Sequence, residues 1–259
     1  MIDPSIVVTQ DRSRPGQEQP EFQQGDDLRM LKLRDGVDWV GYDFENPPIF
    51  SDFAPEWKYT IGKKKIDIDL DVLTELLLKK ERELVDKYPA ASDGSTMLGP
   101  KSVTSRFQYF NVMDKETWDY DIIHQVRKEI KKFHKQYVKS IFGNDHMVPR
   151  TRIRCWFNVM RKGEKIQKHY HSAHGYTYMG GHVTVKCGDS STLYVCPFEH
   201  DKPFELKNEA GTITLFPNYI PHYTTRHKTD EPRITMAFDL TLLNNVVKFD
   251  TDAKQLPIL

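Results

Sequence analysis

The chain has 259 residues, and its 37 basic and 37 acidic side chains cancel. No overall field therefore draws it to nucleic acid or to an anionic membrane surface, and no apolar run approaches the length of a membrane span. The length admits one large β-rich domain or two small ones and is enough to bury a substantial core.

The first stretch, MIDPSIVVTQDRSRPG, lacks a basic segment followed by an apolar one, so no secretory signal is expected. Three cysteines, Cys155, Cys187 and Cys196, form no C-x-x-C pair. Their odd number suits a reducing compartment better than a disulfide framework. A soluble cytoplasmic protein is the expectation. Residues 1–27 read as a flexible N-terminal segment, because Thr9 to Asp27 is rich in Gln, Pro, Gly and acidic residues and poor in apolar ones. The remaining residues, 28–259, read as a single domain.

Helical support is expected over about 66–149. Val72, Leu73, Leu76, Leu77, Leu84, Val85 and Tyr88 form an apolar stripe at helical spacing over Leu70 to Tyr88, and Pro89 ends it. A second helix is expected from Lys115 to Phe142, with Trp118, Ile122, Ile123, Val126, Ile130, Phe133, Tyr137, Ile141 and Phe142 on one face and a C-cap at Gly143-Asn144. Its basic run RKEIKKFHK reads as a solvated face rather than a nucleic-acid patch. Between the helices SVTSRFQYFNV alternates, which predicts a strand over Ser102 to Val112.

From Arg150 the pattern changes. TRIRCWFNVM, GGHVTVKC, STLYVCPF, PFELK, GTITLFP, HYTTRH and RITMAFDLTLL are strand-like, and turns at Lys162-Gly163, Gly188-Asp189, Glu209-Ala210-Gly211 and Asp230-Glu231-Pro232 separate them. Seven or so short strands with regular turns predict a sandwich or barrel, with the β core over about 102–112 and 150–243. The two preceding helices then cover one outer face of a sheet. The fold class is mainly β with flanking helices.

This β region holds seven of the ten histidines, and four of them, His169, His171, His174 and His182, fall in Lys168–Cys187. A metal site, a set of pH-titrating surface imidazoles and accident are the competing readings. His169 and His171 are i and i+2, so on an extended strand both project to one side. His222 stands 222 − 171 = 51 residues on, at the end of LFPNYIPH. That is room for two hairpins to bring it back. Arg233 follows 233 − 222 = 11 residues later at the head of RITMAF. Taken singly, His171 and His174 are ordinary solvated loop residues, His182 a hydrogen-bonded strand residue and Arg233 half of a surface ion pair with Asp230 or Glu231. Taken in order on strands, they favour one metal centre. Trp156 and Phe157 read as core. Arg152 and Arg154 share a face that either orients an acidic group or meets water.

WFNVMRKGEKIQKHYH, the glycine pair in MGGHVTV, AGTITLFPNYIPH and RITMAFDL together resemble the iron(II)- and 2-oxoglutarate-dependent oxygenases, in the branch of uncharacterised oxygenases common in phage and marine bacteria. The resemblance spans roughly Ser102 to Leu242. It implies a double-stranded β-helix, or jelly roll, with the metal near its open end. It places the metal ligands on His169, His171 and His222, and the cosubstrate contacts on Arg233 and Thr235. Asn158 and Tyr178 are further candidates for the cosubstrate, and Tyr176 with Tyr178 for a covering loop. The cofactors implied are Fe(II) and 2-oxoglutarate.

Most of that superfamily carries a carboxylate where this chain has His171. Three neutral imidazoles leave an Fe(II) site about one charge more positive than two imidazoles and a carboxylate, and they also suit Zn(II). The glycine pair lies further from His171 than in the branch, so either HSAHGYTYMGG holds a short insertion or His174 is the second ligand. The activity implied is a dioxygenase, in the hydroxylase class, acting on a small-molecule or peptidyl substrate, in the host cytoplasm if phage-encoded. Two other classes stand beside it: a cupin-like three-His metalloenzyme that does not use 2-oxoglutarate, and a non-catalytic jelly-roll binding module.

Overall fold

The computed structural model describes residues 30–31, 38–45, 58–171, 177–195, 203–243 and 256–259. The N-terminal segment 1–27, His174 and Tyr176 lie outside them. Ten strands run in order along the described chain: β1 Met30–Leu31, β2 Val40–Glu45, β3 Lys58–Lys65, β4 Thr151–Met160, β5 Thr177–Lys186, β6 Ser191–Tyr194, β7 Phe204–Lys207, β8 Thr212–Pro217, β9 His222–Thr224 and β10 Arg233–Leu242. Helices α1, Leu70–Lys87, and α2, Asp121–Phe142, precede β4.

Every pairing is antiparallel. One sheet has seven strands in the order β1-β2-β3-β8-β5-β10-β4, and the other three, β7-β6-β9. A single-residue bridge, His169 to His222, adds the segment before β5 to the edge of the small sheet. This is the double-stranded β-helix, a sandwich in which each inner face alternates with an outer one along every strand.

Alternation sorts the side chains. On β4, Ile153, Cys155, Phe157 and Val159 face the helices, and on β10 so do Ile234, Met236, Phe238 and Leu240. They meet Leu73, Leu77 and Leu84 of α1 and Ile122, Ile123, Val126, Ile130 and Phe133 of α2 in one core. Full burial of each such side chain is worth about 1.5–3 kcal/mol, so this interface holds the helices on the sheet. A second cluster, Phe44, Tyr59, Ile61, Tyr194, Leu206, Phe216 and Ile220, fills one end of the space between the two sheets. The remainder of that space is polar and lies between the inner residues of β4, β5 and β10 and the small sheet.

The helix predicted over Leu70 to Tyr88 forms, with the Asp69 carboxylate accepting from the backbone N–H of Asp71 and Val72 at its N-terminus. The second begins at Asp121 rather than Lys115. Asp114 turns the chain first, accepting from Glu116 N–H and the Thr117 hydroxyl. The strand expected over Ser102 to Val112 does not form. Val103–Tyr109 is a 3-10 helix instead. Its Ser102 side chain accepts from Ser105 N–H, and the Ser105 hydroxyl and buried Arg106 guanidinium both donate to Ser102 carbonyl oxygen. Closely spaced serines offer the backbone local partners that outbid a ladder, and alternation alone does not reveal this. The antiparallel pair β2–β3 lies outside the strands expected from the sequence. It extends the large sheet through β3–β8 pairing. The predicted turns hold Gly163, Gly188 and Gly211 at φ of 89°, 56° and 74°, a region that favours glycine.

Candidate metal centre

The segment leading into β5 and the start of β9 form the site. His169 and His222 are directly opposed, exchanging two backbone hydrogen bonds of 3.0 Å and 2.9 Å. Such a pair brings the two side chains together on one face. His171, two residues on, projects the same way, and its backbone N–H donates to Asn218 carbonyl oxygen at 3.2 Å. One nitrogen from each of the three imidazoles falls within 4.8 Å of the others. Ring centroids are 4.5 Å apart for His169–His222, 4.9 Å for His171–His222 and 5.3 Å for His169–His171.

Every one of these rings has an acceptor at Nδ1. Gln167 carbonyl oxygen lies 2.8 Å from His169 Nδ1, Ile220 carbonyl oxygen 3.1 Å from His222 Nδ1, and Asp239 Oδ1 2.7 Å from His171 Nδ1. An acceptor at Nδ1 fixes the proton there and leaves the Nε2 lone pair free. Second partners of this kind orient metal-binding histidines and raise their basicity. Burial, then the neighbouring His171, lowers the His169 pKa to about 4, and burial, then His169 and His171, holds His222 well below its usual value. Neutral imidazoles are the form a metal needs. The donor set therefore fits a divalent ion held by three imidazoles on one side.

The cleft these rings line measures about 430 Å³ including its open mouth, and its walls include Trp156, Asn158, His182, Phe216, Arg233 and Thr235. Arg233 is buried, 2% exposed. Its Nε donates to Ser190 Oγ at 3.0 Å, while Nη1 has only weak partners, the Met160 thioether Sδ at 3.4 Å and Thr235 Oγ1 at 3.5 Å. The acids that could have tied it to the surface are engaged elsewhere: Asp230 with Lys162 at 2.8 Å and Glu231 with Lys186. Among the described residues no carboxylate pairs with Arg233. Burial accordingly lowers its pKa to about 10. A guanidinium buried without a counter-charge is costly, and an anion in the cleft would offset that cost.

Asn158 also lines the cleft, and its Oδ1 accepts from the Thr104 hydroxyl at 2.8 Å. Tyr178 does not reach the cleft. Its hydroxyl is hydrogen-bonded to His134 of α2, and its ring packs against the helical core. The reason is an irregularity in the β5–β10 register between Leu240 and Thr241. One extra residue there turns Tyr178 to the opposite face from that which strict alternation from His182 would give. Trp156, expected in the core, borders the cleft, its ring centroid 5.5 Å from that of His171, whereas Phe157 is core. His182 stands apart from the three-histidine cluster, and burial, then Arg233, lowers its pKa to about 3.

The glycine pair has a steric role. A Cβ on Gly180 would lie 3.1 Å from the Phe216 ring and 3.2 Å from His171 Nδ1, and one on Gly181 would lie 2.5 Å from Phe238 and 2.6 Å from Thr214 carbonyl oxygen. Asp239 was not singled out in the sequence. A signal for it existed, since it lies four and six residues beyond Thr235 and Arg233 on the same strand and so shares their face.

Three histidines converging in the cleft of this jelly roll make a candidate metal site. Residues 154–239 match the family model described as "Putative 2OG-Fe(II) oxygenase". The match runs from Arg154 on β4 to Asp239 on β10 and so includes all three histidines, Arg233 and Thr235. Over these residues the jelly-roll core of this chain is thus similar to that family. Among solved structures, the chain is similar to a prolyl-4-hydroxylase of Pseudomonas putida, at 10% identity over 70% of this chain and 92% of that one, with a TM-score of 0.46. It is also similar to a 2OG-Fe(II) oxygenase family oxidoreductase of Burkholderia pseudomallei, at 13% identity over 70% and 68%, TM-score 0.36. A shorter likeness, to salicylate 1,2-dioxygenase of Pseudoaminobacter salicylatoxidans, has 14% identity over 34% and 21%, TM-score 0.25. No curated protein gives a significant match. Among the described residues no helix is long and apolar enough to cross a membrane.

Proposed function

We propose that the protein is an Fe(II)- and 2-oxoglutarate-dependent hydroxylase in which His169, His171 and His222 hold the metal and Arg233 holds the cosubstrate. The observation that carries this reading is the buried Arg233, without a carboxylate partner among the described residues, in the same cleft as three imidazoles whose Nδ1 atoms are already engaged. A planar guanidinium makes the bidentate contact that a terminal carboxylate needs. The Thr235 hydroxyl, on the same face of β10, supplies a second donor to that carboxylate. Asn158, on the neighbouring strand and in register with Thr235, borders the same space.

When bound, iron with 2-oxoglutarate supplies the activation of dioxygen that hydroxylation requires. The chain's own part is to bind and to shield. Ser190 fixes the Arg233 side chain through Nε. Trp156 and Phe216 give the cleft apolar walls that exclude water from it. The substrate is proposed only as a small molecule or a peptidyl group.

Anaerobic titration with Fe(II) and then 2-oxoglutarate, followed by optical absorption, tests the reading. A metal-to-ligand charge-transfer band that grows with 2-oxoglutarate is expected. Metal uptake with no response to 2-oxoglutarate would favour the cupin-like three-His enzyme, and no metal uptake would leave a binding module.

A further inference from the structure

We infer that Asp239 is the positioning residue of this centre, and that it returns to a three-histidine site the negative charge that a directly ligating carboxylate would otherwise bring. The inference rests on the metal reading above and goes beyond it.

The first observation is asymmetry among the three rings. His169 and His222 have backbone carbonyls at Nδ1, both neutral, whereas His171 has the Asp239 carboxylate at 2.7 Å. The pair is enclosed, with side-chain exposures of 6% for His171 and 18% for Asp239. A hydrogen bond to an ionised acceptor is roughly twice as strong as one between neutral groups. His171 is therefore the ligand whose orientation and basicity depend most on one side chain.

The second observation is that the fold makes room for this contact. Asp239 lies on the inner face of β10, in register with Gly180 on β5 and with Arg154 on β4. A Cβ at residue 180 would sit 3.2 Å from His171 Nδ1, close against the atom that Asp239 engages. Trp156 borders His171 on another side, with ring centroids 5.5 Å apart. The imidazole is thus held between an indole, a bare backbone and a carboxylate.

The third is charge. Three neutral imidazoles add nothing to the +2 of a divalent ion. A carboxylate one hydrogen bond behind His171 offsets part of that charge without occupying a coordination position. It pulls on the Nδ1 proton, so the Nε2 lone pair becomes a stronger donor, and carboxylate–histidine–metal relays act in this way. His171 then takes on part of the character of an anionic ligand while remaining an imidazole.

Two variants separate the positioning role from the charge. Asp239→Asn keeps an oxygen that accepts from His171 Nδ1–H but removes the charge, whereas Asp239→Ala removes both. Fe(II) affinity, measured anaerobically, should fall about 10- to 100-fold in Asp239→Ala and by less in Asp239→Asn. The Fe(III)/Fe(II) potential should rise in both variants, since each loses a negative charge that stabilises the higher oxidation state. A merely structural role would not move the potential of Asp239→Asn. Thermal unfolding of the metal-free proteins serves as the folding control, and if Asp239→Ala fails to fold, the Asp239→Asn potential decides. Parental affinity and parental potential in Asp239→Asn, with parental affinity in any folded Asp239→Ala, would overturn the inference and leave the metal reading intact. A parent protein that takes up no metal would overturn both.

Discussion

Replacing Arg233 by Met should stabilise the protein alone and weaken its hold on 2-oxoglutarate. The guanidinium is fully enclosed, and burial lowers its pKa from 12.5 to about 10. At about 1.4 kcal/mol per unit this corresponds to about 3 kcal/mol. The sign is fixed by the direction. At pH 7 the group is charged in both folded and unfolded chains, so the folded state carries the whole penalty. Against it stands the hydrogen bond to Ser190 Oγ at 3.0 Å, worth about 1 kcal/mol. The 3.4 Å contact to a thioether, a weak acceptor, and the 3.5 Å contact to Thr235 Oγ1 add little. Methionine fills similar space with no charge, so Arg233→Met should be more stable than the parent by about 2 kcal/mol in urea unfolding without ligand. With a divalent metal and 2-oxoglutarate present, the gap should close. The parent gains about 2.7 kcal/mol at a ligand concentration of 100 Kd. The variant binds about 30- to 1,000-fold more weakly, because a charge-assisted pair worth about 2–4 kcal/mol is gone. A variant less stable than the parent without ligand would refute the unpaired-charge argument. Equal ligand shifts in both proteins would refute the cosubstrate assignment.

His222→Ala should abolish the metal-dependent rise in melting temperature expected of the parent, as measured by thermal scans with and without Fe(II) under anaerobic conditions. Gly181→Ala should destabilise the protein by about 1–3 kcal/mol in denaturant unfolding, because its Cβ meets a backbone oxygen at 2.6 Å that cannot move away cheaply. Stability of the metal-free protein should fall as pH drops from 6.5 toward 4. His134 is buried and its folded pKa is lowered to about 4, so the unfolded chain binds more protons throughout that window. The contribution of His134 alone is about 3 kcal/mol, and His134→Gln should flatten the profile of unfolding free energy against pH. Leu77→Ala, in the α1 core and fully buried, should cost about 2–5 kcal/mol while leaving Fe(II) affinity unchanged.

The sequence by itself determined the helix over Leu70–Lys87, the run of strands after Arg150 and the order of the chemistry-bearing residues. Each follows from periodicity, and periodicity is a local property: 3.6 for the helix stripe, two for the i, i+2 spacing of His169 with His171 and of Arg233 with Thr235. Local signals also misled where short-range hydrogen bonds competed with alternation, as at Ser102, Ser105 and Arg106, where a 3-10 helix replaced the expected strand. Tyr178 lay beyond a register irregularity between Leu240 and Thr241, so its face could not be counted from His182. What only the tertiary structure decided is which distant groups meet. The backbone exchange between His169 and His222, the burial of Arg233 away from Asp230 and Glu231, and the contact from Asp239 across bare Gly180 to His171 all depend on strand register. Register is set by long-range pairing and turn geometry together, and a slip of one residue would turn each of these side chains to the opposite face.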